Sequence, residues 1–152
     1  MAKSSFVYVT YIRTTPAKLW EALLKPEFTR IYWFGVTMDS EWKKGSTWKM
    51  VYPDGRVTDS GEILDIEKEK RLVIKWRHEM RPELKAEGDS LCTIQIDQEQ
   101  GAVKLTIQHE IDQAMSKLIE AVSGGWPKIL SGLKSLLETG SALEQLVTRS
   151  KG

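Results

Sequence analysis

Apolar and polar residues change rhythm three times along this chain, and each change predicts a different kind of element. Residues 6–13 are rich in β-branched and aromatic side chains and read as a strand. Pro16, with Thr15 before it as N-cap, opens a short helix through Leu24. Lys25-Pro26 breaks that helix, and residues 27–34 form a second one that ends at Gly35, an apt left-handed cap. From residue 36 to residue 112 the period becomes two. Turn signals at Lys44-Gly45, Pro53-Asp54-Gly55, residues 67–70, Glu87-Gly88-Asp89 and residues 98–101 cut this stretch into a meander of strands. Trp48 and Met50, then Leu72, Ile74, Trp76 and His78, then Val103, Leu105, Ile107 and His109 fall on one face. That face is apolar and the other mostly polar.

An antiparallel sheet with one apolar face needs a cover. Trp126, Ile129, Leu130, Leu133, Leu136 and Leu137 recur at spacings of three and four, Pro127 suits a first helical turn, and Gly140 closes the pattern. A helix of about 14 residues, about 21 Å long, is expected there. Residues 141–152 carry a weak pattern that fits either a short added helix or a frayed end.

Composition then narrows the classes. The 152 residues fit one domain spanning 1–152, with a core at about 5–140 and a tail from 141. Lys and Arg number 22 against 21 Asp and Glu, so no basic stripe points to nucleic acid. No stretch resembles a secretion leader or a membrane span, and a cytoplasmic protein is expected. One cysteine and two histidines fall short of a zinc set, and neither metal nor cofactor is expected. Cys92, alternating with Ile94 and Ile96, reads as a buried, inert thiol. Serine-hydrolase, P-loop and HExxH motifs are absent. Gly124-Gly125 reads as the opening of the last helix, where free backbone amides would hold a carboxylate.

Local strings sharpen this outline. IRTTPAKLWEAL with Trp20, the pair Tyr32-Trp33 before Phe34-Gly35, GEILDIEKEKRLVIKW, LTIQHEI and above all GGWPKILSGLKSLLETG resemble the START-like, or SRPBCC, superfamily over residues 5–140. Within it the chain is similar to the branch of the C-terminal domain of the heat-shock protein 90 ATPase activator. The resemblance implies an α+β helix-grip fold of order β-α-α-β(6)-α, a curved antiparallel sheet around a long C-terminal helix with an internal cavity. The fold hosts lipid carriers, hormone receptors, polyketide cyclases and co-chaperone domains, so function must be argued from the site. The eukaryotic activators carry a separate N-terminal domain, and the expectation here is a stand-alone protein of bacterial type.

The candidate ligand-binding residues are Tyr32, Trp33, Trp48, Met50, Tyr52, Trp76, His78, Ile94, Ile107, His109, Trp126 and Leu130. Core packing is the ordinary role for Trp20, Trp76 and Trp126, whereas Trp33 and Trp48 are placed to border a ligand. His78 and His109 fall at the ends of strands two apart, about 10 Å from each other, too far to share a zinc but suited to gripping opposite sides of one ligand. Asp59, Glu62 and Glu110 are the acids available to orient a histidine base, with Glu110 pointing away from His109. Tyr8 adds a further hydroxyl. Arg56 at a loop tip and the charge run of residues 67–71 read as solvated. No catalytic set is assigned. The first reading is binding of a small apolar or amphipathic molecule. The alternatives are a protein-interaction module with a filled interior, including contact with a chaperone, and an enzyme of the cyclase or dehydratase kind. An empty apolar volume of about 300 Å³ separates the first from the second.

Overall fold

The computed structural model describes residues 3–143. Strand β1 (Ser4–Ile12) leads into helices α1 (Pro16–Leu24) and α2 (Pro26–Tyr32). Six strands follow, β2 (Thr37–Ser40), β3 (Thr47–Val51), β4 (Val57–Glu67), β5 (Arg71–His78), β6 (Ser90–Glu99) and β7 (Ala102–Ile111). A single turn of helix, α3 (Pro82–Lys85), interrupts the meander between β5 and β6, and α4 (Lys117–Thr139) is the last element among the described residues. The strands form one antiparallel sheet in the order β1-β7-β6-β5-β4-β3-β2. The helix-grip order expected from the sequence is the one observed.

The local chemistry accounts for the early elements. Thr15 is the N-cap of α1, its hydroxyl accepting from the Lys18 amide at 3.2 Å, and Pro16 fills the first turn. Lys25-Pro26 ends α1 and starts α2. The second helix stops at Tyr32, earlier than the expected Phe34, because Phe34 and Gly35 both take positive φ, 51° and 80°. Buried side chains from the inner face of the sheet, from α1 and from α4 make one core. The outer face is mostly polar, and along β1 it exposes Val7, Val9 and Tyr11.

The closing helix differs most from expectation. It begins at Lys117, runs for 23 residues, about 34 Å, and carries Gly124-Gly125 and Pro127 in its interior. Each glycine costs a helix about 1 kcal/mol relative to alanine, and a proline removes a hydrogen bond. The preceding turns bury Leu118 and Ile119 against Leu84 and Ile111, and this packing overrides the local preference for a break. The expected anion site at the Gly-Gly amides is therefore absent. The true N-terminus is held by the protein itself: Ser116 accepts from the Ile119 amide, and the Glu87 carboxylate accepts from the Lys117 and Leu118 amides at 2.8 and 3.2 Å. Burial opposes the Glu87 charge, but these bonds and one from the Ser116 hydroxyl outweigh it and hold the carboxyl below its ordinary value.

Irregularities along β4 bend the sheet: a close approach at Gly61, a register shift against β3 between Met50 and Val51, and another against β5 between Ile63 and Asp65. Gly61 of β4 is the register partner of both Trp48 on β3 and Trp76 on β5, and a Cβ at this position would lie 1.6 Å from the Lys75 carbonyl oxygen. Only glycine permits that approach. Next to it the β3–β4 register shifts between Met50 and Val51. A bulge of this kind re-aims side chains, and the consecutive residues Thr58 and Asp59 are both buried.

Gly61→Ala should destabilise the fold by about 3 kcal/mol or more, because the obstructing atom is backbone that cannot rotate away. Gly45→Ala, at φ 88° but with open space around its Cβ, should cost only about 1 kcal/mol. Urea unfolding of both variants checks the order.

Candidate functional site

The bend and the long helix leave a cleft of about 420 Å³ between them. The sheet side is formed by Met50, Thr58, Asp59, Trp76 and His78, and the helix side by Leu118, Ala121, Val122, Gly125, Trp126 and Ile129. Trp33, Phe34 and Val36, which follow α2, close one end, and Met80, Arg81 and Leu84 around α3 close the other. Tyr52 completes the lining. A Cβ at Gly125 on the wall would meet nothing within 4 Å, so the missing side chain is free volume.

An aromatic cluster forms part of the cleft wall and extends behind it. Trp76 meets Trp48 at 4.6 Å between ring centroids, His109 at 5.1 Å and Trp126 at 5.9 Å, and Trp126 meets Trp33 edge-on at 5.3 Å. Sheet, long helix and second helix are joined through these rings, each contact adding about 0.5–1.5 kcal/mol beyond burial.

Polar atoms inside the cluster form a chain with one direction. Trp126 Nε1 can only donate, and it donates to His109 Nδ1 at 3.2 Å. That nitrogen therefore presents its lone pair, which puts the ring proton on Nε2, 2.8 Å from Ser90 Oγ. Ser90 in turn donates to the Trp76 carbonyl at 2.9 Å. Every donor has an acceptor only while the imidazole is neutral. Burial favours the same state and pushes His109 down to about 4.

The structure separates the two histidines. His109 is fully buried and lies behind the cleft wall, whereas His78 is half-buried and lines it. Of the other expected ligand contacts, Trp33, Met50, Tyr52, Trp76 and Trp126 line the cleft, while Tyr32, Trp48, Ile94, Ile107 and Leu130 lie in the core around it. Tyr32 donates to the Ala22 carbonyl at 2.7 Å, an internal bond that locks α2 to α1. Burial raises the phenol of Tyr32 and, likewise, the thiol of Cys92. Glu110 turns outward to Lys3 at 2.7 Å and Glu62 to Lys75 at 3.6 Å. Asp59 is the acid that faces the cleft, its carboxylate accepting from Trp76 Nε1 and from the Thr58 hydroxyl, each at 2.7 Å. Arg56 pairs with Asp54 at the loop tip and stacks over Tyr52. The sequence missed Thr58, which needs the bulge, and the wall from Leu118 to Gly125, which needs the longer helix. Among the described residues no cluster of His, Cys, Asp and Glu is placed to hold a metal, and no helix is long and apolar enough to cross a membrane. Expectations for residues 144–152 lie outside the described residues.

Residues 13–138 match the family described as Activator of Hsp90 ATPase homolog 1-like protein. No curated protein matches the chain. Among solved structures, CalU16 from Micromonospora echinospora is 18% identical, with a TM-score of 0.70 over 94% of this chain and 80% of that one. The Aha1 dimer from Colwellia psychrerythraea is 16% identical, with a TM-score of 0.72 over 90% and 98%. PFC0360w, an HSP90 activator from Plasmodium falciparum, is 21% identical, with a TM-score of 0.70 over 88% and 95%. At these identities the likeness is one of fold.

Lowering the pH should expose the neutral histidine. The ordinary value, 6.5, lies above the folded value of about 4, so the unfolded chain takes up the proton first. Stability is then full above pH 6.5 and falls by on the order of 3 kcal/mol as the pH drops to about 4. Glu79, held at about 2 first by the Ser60 hydroxyl and, against its burial, by Lys85 and Arg77, loses its contribution only below its ordinary 4.5. Urea midpoints measured from pH 7 to 4.5 should decline in the wild type and lie much flatter in His109→Gln.

Proposed function

This chain belongs to the Activator of Hsp90 ATPase homolog 1-like family, and we propose that its cleft binds a small molecule with an apolar body and a polar end. The observation that carries this reading is the 420 Å³ volume, within the range of ligand sites and above the smallest of them. Its walls are mainly aromatic and aliphatic, and its polar groups, Thr58, Asp59, His78 and Arg81, gather where β4 and β5 meet the loop before α3. Burying about 200 Å² of ligand carbon there contributes roughly 5 kcal/mol before the costs of association. Gly125 supports the same reading. It weakens the helix by about 1 kcal/mol, no neighbour excludes a side chain at its Cβ, and its effect is to widen the cleft.

A protein contact is the second reading. The family description and the Plasmodium HSP90 activator point toward a chaperone as the kind of partner. The exposed stripe Val7, Val9 and Tyr11 on the outer face of β1 favours such a contact.

Native mass spectrometry of freshly purified protein, compared with its denatured mass, tests the first reading. The wild type should carry a small molecule that extraction releases. Gly125→Leu should carry none, yet be more stable by about 0.5–1 kcal/mol, since leucine is the better helix former and fills the cleft. Gly124→Ala, on the exposed side, should gain stability and keep the ligand. A bare wild type that also ignores a panel of lipophiles and polyketides would transfer the weight to the protein contact, checked by titrating Val9→Lys against wild type with purified Hsp90.

A further inference from the structure

The polar end of the cleft has a definite hydrogen-bonding sense, which restricts the head group a ligand can present. Asp59 and His78 are register partners on β4 and β5, so their side chains rise from one face with Cβ atoms about 5 Å apart. Both line the cleft. Asp59 accepts from Trp76 Nε1 and from Thr58, and a carboxylate offers only further acceptor sites to whatever lies beside it. His78 has the opposite sense. Its Nδ1 accepts the backbone amides of Met80 at 3.1 Å and Arg81 at 3.2 Å. Two donors on Nδ1 require a lone pair there, so the ring N–H is on Nε2, which has no hydrogen-bond partner among the described residues. Arg81 at the rim is engaged by Glu83 through Nε at 3.2 Å and Nη2 at 2.9 Å, which balances its charge.

We propose that the cleft selects an uncharged hydroxyl, a phenol or alcohol on a flat apolar body, which accepts from His78 Nε2 and donates to Asp59. The inference rests on the ligand-binding reading above and names the class of ligand for it. A hydroxyl is both donor and acceptor and satisfies the two side chains together. A carboxylate head accepts from His78 but meets the buried Asp59 carboxylate as a like charge. An ammonium head gains the Asp59 charge, but it has no lone pair for His78 and must shed its own hydration. A plain hydrocarbon offers no acceptor to His78 Nε2.

The test uses four ring-matched probes, 2-naphthol, 2-naphthoate, 2-naphthylmethylammonium and naphthalene, titrated at neutral pH into the full-length protein. Indole N–H signals of Trp33, Trp76 and Trp126 in NMR spectra report occupancy, and Trp76 reports directly on Asp59. Naphthol should bind about tenfold or more tightly than each of the other three. In Asp59→Asn, which keeps an acceptor for Trp76, its margin over naphthoate should close. Equal binding of naphthol and naphthoate to the wild type, tighter binding of the ammonium, or a margin that survives Asp59→Asn would overturn the hydroxyl assignment and leave the ligand-binding reading standing. If none of the four binds and the wild-type protein carries no small molecule, both readings fall.

Discussion

The hydrogen bond from Trp126 to His109 ties the long helix to the inner face of the sheet, and much of the interior is arranged around it. An indole N–H can only donate, so the bond fixes which nitrogen of His109 keeps its lone pair. Ser90 takes the other side of the ring and passes the sense on to the Trp76 carbonyl. A buried polar chain of this kind is stable only when complete, because each group left without a partner costs about 1–3 kcal/mol. The rings of Trp76, Trp126 and Trp33 then pack around it at ordinary aromatic distances.

The cleft follows from that anchor. On the N-terminal side of Trp126 the helix presents Gly125, Val122 and Ala121 to the sheet, side chains too small to fill the space. Opposite them, the close approach at Gly61 and the bulge at Thr58 turn the sheet away and bring two consecutive polar residues inward. Each of these features departs from the best local choice: a mid-helix glycine pair, a proline inside a helix, a glycine within a strand. Natural sequences concentrate such departures at functional sites and compensate for them elsewhere, and here the compensation is the aromatic cluster and the Leu118, Ile119, Leu84 and Ile111 contact beneath the first turns of α4.

Family membership and site chemistry answer different questions. The helix-grip frame is shared with CalU16, with Aha1 from Colwellia and with the Plasmodium HSP90 activator, and a shared frame does not carry a shared activity. What distinguishes this chain is which side chains reach the cleft and in which hydrogen-bonding sense, with an acceptor at Asp59 set beside a donor at His78.

The periodicity of two from residue 36 to residue 112, the Thr15-Pro16 cap and the Lys25-Pro26 break were sufficient to determine the order of the elements, because each acts through neighbours within a few residues. Alternation placed Trp48, Met50, Trp76 and His109 on the inner face for the same reason, the pleat itself having a period of two. The extent of α4 was not legible, since Gly124-Gly125-Trp126-Pro127 reads locally as a helix start and only burial of Leu118 and Ile119 against α3 and β7 carries the helix through it. Nor was the separation of His78 from His109, for both alternate correctly and only the depth of the bend leaves one at the wall and the other behind it. Thr58 escaped because a bulge breaks the very alternation from which faces are read. Local chemistry thus determined the elements and their faces; the tertiary packing decided which of those faces touch and where they fail to touch, and the site is made of that failure.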